Sequence, residues 1–283
     1  MISFRKNQFQ AIFTSLVMVD AVCQGRLPWG SHPANFSDCL HLKAAADLAD
    51  NRWCQAIAAQ LSPLDSTNQL ADLPSQPAGL SSGQSIESIA DLLIHLPQLL
   101  SRLDWPSDPL WGQAGPSQFE TIPAEITALQ NCLQACLSQD YAALTACHKQ
   151  LAHSLKLEQT LVNMALFQAI ELVLAASGDL QLAVGQSLRW SGAISGLPLL
   201  TGILSAGWGG LSSLPSPGRL WLEQPPDDLQ NWLCQRWHLP QTTTVSAWAV
   251  TLWQHWSGQS PTGHPLPIAA VTPLTMPPKN YRR

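Results

Sequence analysis

The alternation of apolar and polar residues is clearest between Leu161 and Pro215, where it predicts three consecutive helices. Apolar residues recur close to the helical period at the start of this stretch, and Gly178 suits the C-terminal cap of that first helix. Asp179 is a typical N-cap for the second helix. The third helix, Leu197 to Leu211, has no charged residue and many small ones. It must therefore be surrounded by protein or by lipid.

The N-terminal segment predicts another helix, with an apolar run from Ala11 to Cys23. Arg5 and Lys6 precede this run, as basic residues precede the apolar part of a signal peptide. Asp20 falls within the stretch where cleavage would occur, and no small-x-small pattern stands before it. A first core helix is the simpler interpretation.

Helical periodicity continues through the middle of the chain. We expect one helix over residues 37–61, capped by Ser37, and another over 85–103 that Pro97 kinks or splits. Two more helices begin near Glu125 and Asp140. No segment before residue 216 has the period-two pattern of a strand, so we predict an all-α fold, a compact multi-helix bundle.

The C-terminal quarter is rich in tryptophan. We expect a helix over 227–238 and a second element over 244–256, for which a helix fits slightly better than a strand. Trp248, Trp253 and Trp256 lie on its apolar stripe, which is either core or a partner-binding surface. We divide the chain into an all-α domain, 1–225, and a Trp/Pro-rich extension, 226–283, packed on it. About the last 20 residues are expected to be extended.

Composition and charge exclude several classes of function. The chain is 46% hydrophobic and 12% charged, so it can bury a large core. Its net charge is -5 and no basic cluster occurs, which disfavours nucleic acid and anionic membrane surfaces as partners. There is no P-loop, nucleophile elbow or zinc-protease motif.

The cysteines and histidines predict neither disulfides nor a metal site. Seven cysteines are scattered without a Cys-x-x-Cys pair, which favours a reducing, cytoplasmic location. Cys132 and Cys136 share one face of a helix, where use as small buried apolar residues is the default. His148 and His153 are five residues apart, which is not the spacing of a helical zinc pair.

Several segments together resemble the ADP-ribosylglycohydrolase family. The run from Gly202 to Pro215 resembles that family's glycine- and alanine-rich helix ending in Ile/Leu-Pro. The stretch from Gly178 to Trp190 is similar to its lead-in, and Phe9 to Gly25, with Val19-Asp20-Ala21, is similar to its opening helix and Gly-Asp-Ala turn. The resemblance implies a bundle of that type, a pair of magnesium ions and hydrolysis of ADP-ribosyl bonds. It also implies that the region of Trp105 and Trp111 lies near a substrate cleft, where these rings either stack on the ligand or anchor a loop.

The two acidic motifs that would hold the magnesium ions are not matched. The second motif falls on Ala193, Ile194, Ser195 and Gly196, none of which has a carboxylate. Magnesium needs oxygen ligands, usually carboxylates. The first motif has two candidates, one containing Asp38 and one containing Glu87, and the sequence does not decide between them. Asp20 is either a remnant of the cleft, like Asp38, or a residue that hydrogen-bonds to nearby backbone.

Three hypotheses follow. The first is a catalytically degenerate ADP-ribosylglycohydrolase-like protein without metal or cofactor, a pseudoenzyme that acts as a scaffold or binds a protein partner or a nucleotide-like ligand. The second is a divergent magnesium-dependent hydrolase that removes ADP-ribose, with ligands from Asp20, Asp38, Glu87 or Asp91. The third is a membrane-associated protein that uses residues 192–214 as a span.

Overall fold

The computed structural model describes residues 2–27, 50–61, 86, 88–103, 123–157, 159–190, 194, 196–240 and 243–256. These residues form helices and contain no strand, so the all-α prediction is confirmed. The α-helices are α1 (Ile2–Cys23), α2 (Arg52–Leu61), α3 (Ile89–Ile94), α4 (Leu96–Arg102), α5 (Ala124–Leu137), α6 (Tyr141–Leu157), α7 (Leu161–Ala175), α8 (Leu180–Trp190), α9 (Leu197–Gly209), α10 (Ser216–Glu223), α11 (Asp227–Trp237) and α12 (Val245–Trp256). A short 3-10 helix, Gly210–Ser213, follows α9.

Helices α1 and α9 form the centre of the core. They pack on each other more extensively than any other pair of helices, and α9 also packs on α5, α7 and α8. All side chains from Leu197 to Gly207 are buried. A Cβ placed on Gly202 would lie 2.9 Å from Val19 Cγ2 and 3.0 Å from Ser15 Oγ. The glycine therefore lets the two helices approach more closely than alanine would allow.

The predicted helix boundaries between residues 140 and 200 are confirmed. The Asp179 carboxylate accepts a hydrogen bond from the Leu182 backbone N–H at 2.9 Å, as an N-cap does. Asp140 caps α6 in the same way. Gly178 has a φ of +79° and ends the turn after α7. The sequence was sufficient to predict these helix boundaries because each cap depends on residues only a few positions apart.

One predicted helix differs from the observed one, and a second is divided as expected. In the described part of residues 37–61 the helix begins only at Arg52, because the Asp50 carboxylate accepts its backbone N–H at 3.0 Å and starts the helix there. The Ser37 cap lies outside the described residues. The segment 85–103 splits at His95 into α3 and α4, with Pro97 in the first turn of α4, as predicted.

The chain does not turn at Val19-Asp20-Ala21, so the predicted Gly-Asp-Ala turn is wrong. Helix α1 continues to Cys23, and the chain turns at Gly25, whose φ is +66°. Val19 and Ala21 are fully buried, and burying them keeps this segment helical. Helix α10, which follows Pro215, was not predicted.

The tryptophan-rich helices α11 and α12 pack into the same core as α1. Phe13 lies 4.9 Å from Trp248 and 6.1 Å from Trp237, and Phe9 lies 5.3 Å from Trp253, measured between ring centroids. The helix predicted over 227–238 and the helical alternative for 244–256 are confirmed. The division at residue 225 stays a prediction, and residues 257–283 lie outside the described part of the chain.

Candidate functional site

Asp20 lies at the centre of a buried polar cluster between α1 and α11. Its side chain is almost fully buried, and both of its oxygens accept hydrogen bonds from Arg236. Arg236 Nε donates to Oδ2 at 2.7 Å, and Nη2 donates to Oδ1 at 2.9 Å. This two-point contact is the geometry in which guanidinium and carboxylate bind most strongly.

Two further groups complete the cluster. Trp237 Nε1 donates to Asp20 Oδ2 at 2.9 Å, and the Cys54 thiol contacts the same oxygen at 3.8 Å. The Arg236 guanidinium also lies 5.7 Å from the ring centroid of Trp53, close enough for a cation–π interaction. We call Asp20, Cys54, Arg236 and Trp237 the Asp20 cluster. It joins α1, α2 and α11.

Burial and ion pairing act in opposite directions on this cluster. Burial raises the pKa of Asp20 above its ordinary value, and the hydrogen bonds and charge of Arg236 offset part of the rise. Burial alone would lower the pKa of Arg236, but Asp20 outweighs it and the pKa is raised. Burial, with the nearby charge of Asp20, also raises the pKa of the Cys54 thiol. Arg236 stays charged at neutral pH and donates hydrogen bonds to both oxygens of Asp20. The two residues therefore form an ion pair.

The sequence offered two roles for Asp20, and the structure contradicts the second of them, a hydrogen bond to nearby backbone. Its side-chain partners are 34 or more residues away, so the prediction of a hydrogen bond to nearby backbone is wrong. Sequence reasoning missed Arg236 as the partner. A signal was present, because Arg236 stands between buried Leu233 and Trp237 in an otherwise apolar stripe. The role of Asp20 as a remnant cleft residue stays a prediction.

The positions matched to the second acidic motif lie at the start of α9. Ile194 is buried, and Gly196 caps the helix with a φ of +78°. A Cβ at Gly196 would come within 2.7 Å of Ile89. This turn is therefore packed against α3. Ala193 and Ser195 lie outside the described residues.

The candidate carboxylates are not brought together in the part of the chain that the structure describes. Asp91 is exposed on α3, where Ser88 Oγ donates to it at 2.7 Å. Asp38 and Glu87 lie outside the described residues. Within those residues, no group of three or more His, Cys, Asp or Glu side chains is placed to hold a metal ion.

Two of the three tryptophans proposed for partner binding, Trp248 and Trp253, face the core. Trp248 and Trp253 are 8% and 6% exposed, and their rings contact Phe13 and Phe9. The side chain of Trp256 lies outside the described residues. Partner binding by these residues stays a prediction, and it would require α12 to leave its place against α1.

The span predicted over 192–214 overlaps α9. Of the helices in the described ranges, none is by itself long and apolar enough to cross a membrane. One bent pair, Leu197–Ser213 followed by Ser216–Glu223 at 84°, meets the length and composition criteria together.

A groove opens between α5, α6 and the start of α7, and we call it the α5–α6 groove. Its volume is about 480 Å³, within the usual range for pockets that bind small molecules. Two cysteines, Cys132 and Cys147, lie in its wall. Its polar lining comes from six further residues: Glu125, Thr127, Asn131, Gln150, Ser154 and Asn163. Sequence reasoning missed this groove because it exists only where three helices meet.

Comparison of this chain with protein families, with curated proteins and with solved structures found no match. The resemblance to ADP-ribosylglycohydrolases therefore stays a prediction that rests on the motifs quoted above. Function has to be argued from the residues and their geometry.

Proposed function

We propose that this protein is a catalytically degenerate ADP-ribosylglycohydrolase-like protein that acts as a scaffold or binding protein. The observation that supports it best is the state of Asp20. Both of its oxygens are engaged by Arg236, and Oδ2 also accepts from Trp237. A carboxylate whose lone pairs are directed at buried donors would have to break a strong ion pair before it could bind magnesium.

The residues at the second motif support the same proposal. Ile194 offers only hydrocarbon, and Gly196 offers only backbone in a left-handed turn packed on Ile89. Neither supplies the side-chain oxygen that a hard cation requires. Binding a partner or a nucleotide-like ligand without hydrolysis does not require oxygen ligands for magnesium, so a protein that lacks them can still bind.

The experiment that tests this proposal measures binding and hydrolysis in parallel. The full chain is titrated calorimetrically with magnesium chloride and with ADP-ribose, and it is incubated with ADP-ribosylated protein while free ADP-ribose is followed by chromatography. We expect no release of ADP-ribose and no tight magnesium binding. Release that depends on magnesium would overturn the proposal.

If ADP-ribose is released, two variants show which carboxylate the activity depends on. Loss of activity in Asp38→Asn, with Asp91→Asn unaffected, would favour the divergent hydrolase and place its first motif at Asp38. Loss in Asp91→Asn alone would place a ligand on the exposed face of α3. Either result replaces the non-catalytic assignment.

A further inference from the structure

Two thiols meet in the wall of the α5–α6 groove. Cys132 is fully buried on α5, and Cys147 is half-buried on α6. Both cysteines line the groove, and Cys147 is the more exposed of the two. Helices α5 and α6 are consecutive and pack along each other, so the short turn between them brings the two thiols to the same wall.

The two thiols differ in pKa. A hydrogen bond from the Cys132 thiol lowers the pKa of Cys147 to about 7, against the opposing effect of burial. The same hydrogen bond, together with burial, raises the pKa of Cys132. Burial also raises the pKa of Cys136, one turn along α5. Near neutral pH Cys147 is therefore the thiol of the pair that ionises, and thiolate is the reactive form of cysteine.

The groove beside Cys147 has polar groups ready for a ligand. The Asn163 side chain is 9% exposed and lines the groove. Its carboxamide can both donate and accept hydrogen bonds, so it can hold a small polar ligand or a water molecule there. Glu125 is the one charged side chain among the described residues in the lining. Its charge disfavours anionic ligands and suits a small neutral one.

We propose that Cys147 and Cys132 form a thiol–disulfide exchange site for a small, uncharged disulfide bound in the α5–α6 groove. The Cys147 sulfur attacks one sulfur of the bound disulfide, whose S–S bond breaks. The first thiolate leaves and takes up a proton from solvent, and Cys147 is left in a mixed disulfide. Cys132 then loses its proton to solvent, attacks the Cys147 sulfur and releases the second thiolate, which is protonated in turn.

The net reaction is balanced in atoms and electrons. Two protein thiols lose two electrons and two protons and become the Cys132–Cys147 disulfide, and the small disulfide gains them and becomes two thiols. The exchange is stoichiometric, with one small disulfide consumed for each protein chain. The groove contains neither Asp20 nor the positions 193–196. A negative result for the exchange site would therefore leave the proposed function untouched, and the reverse also holds.

The test uses the full chain with Cys39→Ser, because Cys39 lies outside the described residues. The reduced protein is mixed with bis(2-hydroxyethyl) disulfide at neutral pH, quenched by alkylation and analysed by intact mass and peptide mapping. We expect the Cys132–Cys147 disulfide with no retained hydroxyethylthio group. Cys132→Ala should stop at one retained group on Cys147, and Cys147→Ala should leave Cys132 as a free thiol.

Cys136→Ala is the matched control, because Cys136 is equally buried on the same face of α5 and should not take part. It should give the same product as the parent. Circular dichroism establishes that each variant is folded. Cys147 should also react about threefold faster in the folded chain than in urea, as its larger thiolate fraction outweighs its lower nucleophilicity. Equal rates, or a retained group in the parent protein, would overturn the proposal.

Discussion

The Asp20 cluster and the α5–α6 groove are both polar regions of one helical bundle, and they differ in how their polar atoms are satisfied. In the cluster, both carboxylate oxygens of Asp20 have donors from Arg236, and the whole group is shut off from solvent. In the groove, the Asn163 carboxamide lines an open cavity, and Cys147 is half-buried. The Asp20 cluster is buried and both oxygens of its carboxylate have donors, whereas the α5–α6 groove is open.

This difference indicates what each region contributes. A buried charge pair with every oxygen engaged costs much to disturb, so it sets how the helices are arranged. Polar side chains that line an open groove can bind water or a ligand without holding the helices together. The comparison can be tested by making changes of similar size in both regions and in the packed core between them.

The largest effect is expected from Asp20→Asn. The substitution leaves the Arg236 charge buried with a neutral partner, and we expect the free energy of unfolding in urea to fall by about 3–5 kcal/mol. Asp91→Asn, on the exposed face of α3, is the control and should cost less than about 1 kcal/mol. The double variant Asp20→Leu/Arg236→Met should recover most of the loss. If Asp20→Asn and Asp91→Asn lowered the free energy of unfolding equally, the Asp20 cluster would stabilise the fold no more than an exposed carboxylate does.

A pH-dependent effect is expected from Arg236→Met. Without the guanidinium, the pKa of folded Asp20 rises further above its ordinary value of 3.8, whereas unfolded Asp20 ionises normally. The folded state then binds the extra proton, so stability is greatest below the ordinary pKa and is lost as pH rises. The loss should approach about 1.4 kcal/mol per pH unit between the two pKa values. Urea unfolding at a series of pH values measures it, and stability that increased with pH relative to the parent would contradict it.

A smaller effect is expected where α1 and α9 touch. Gly202→Ala places a Cβ against the stiff Val19 side chain, and overpacking of this kind costs about 1–3 kcal/mol. Gly207→Ala is the matched control on the same buried helix. Its Cβ would meet Cys136 and Ile12 at ordinary distances of 3.5 Å and more, so it should be neutral or stabilising. Thermal unfolding compares the two, and a reversed order would show that α9 is not packed as described.

The smallest effect is expected from Asn163→Leu in the groove. Replacing an amide that lines an open groove by an apolar side chain of similar size should change the free energy of unfolding by less than about 1 kcal/mol. Asn131→Leu, at an exposed position of the same groove, is the control and should be near neutral. A loss of stability confined to Asn163→Leu would mean that the amide is satisfied, and the groove would then resemble the Asp20 cluster.

The helices and their caps could be predicted to within a few residues wherever the signal was local. Asp179 could be predicted as a cap, and Asp140 as the start of a helix, because the backbone N–H that each carboxylate accepts lies three residues ahead. The uncharged run at 197–211 could be assigned to a helix surrounded by protein or by lipid, and a core helix was the favoured alternative. The prediction of an unbroken helix over 37–61 failed because Asp50 competes for a backbone N–H that the apolar periodicity alone does not reveal.

The sequence by itself determined the all-α fold and most helix boundaries, because helical period and capping act over three or four residues. Only the tertiary structure decided that Asp20 pairs with Arg236, 216 residues away, and that Cys132 and Cys147 line one groove. Such contacts depend on which helix faces pack together. That choice is made by the burial of the whole core, and no single segment of the chain specifies it.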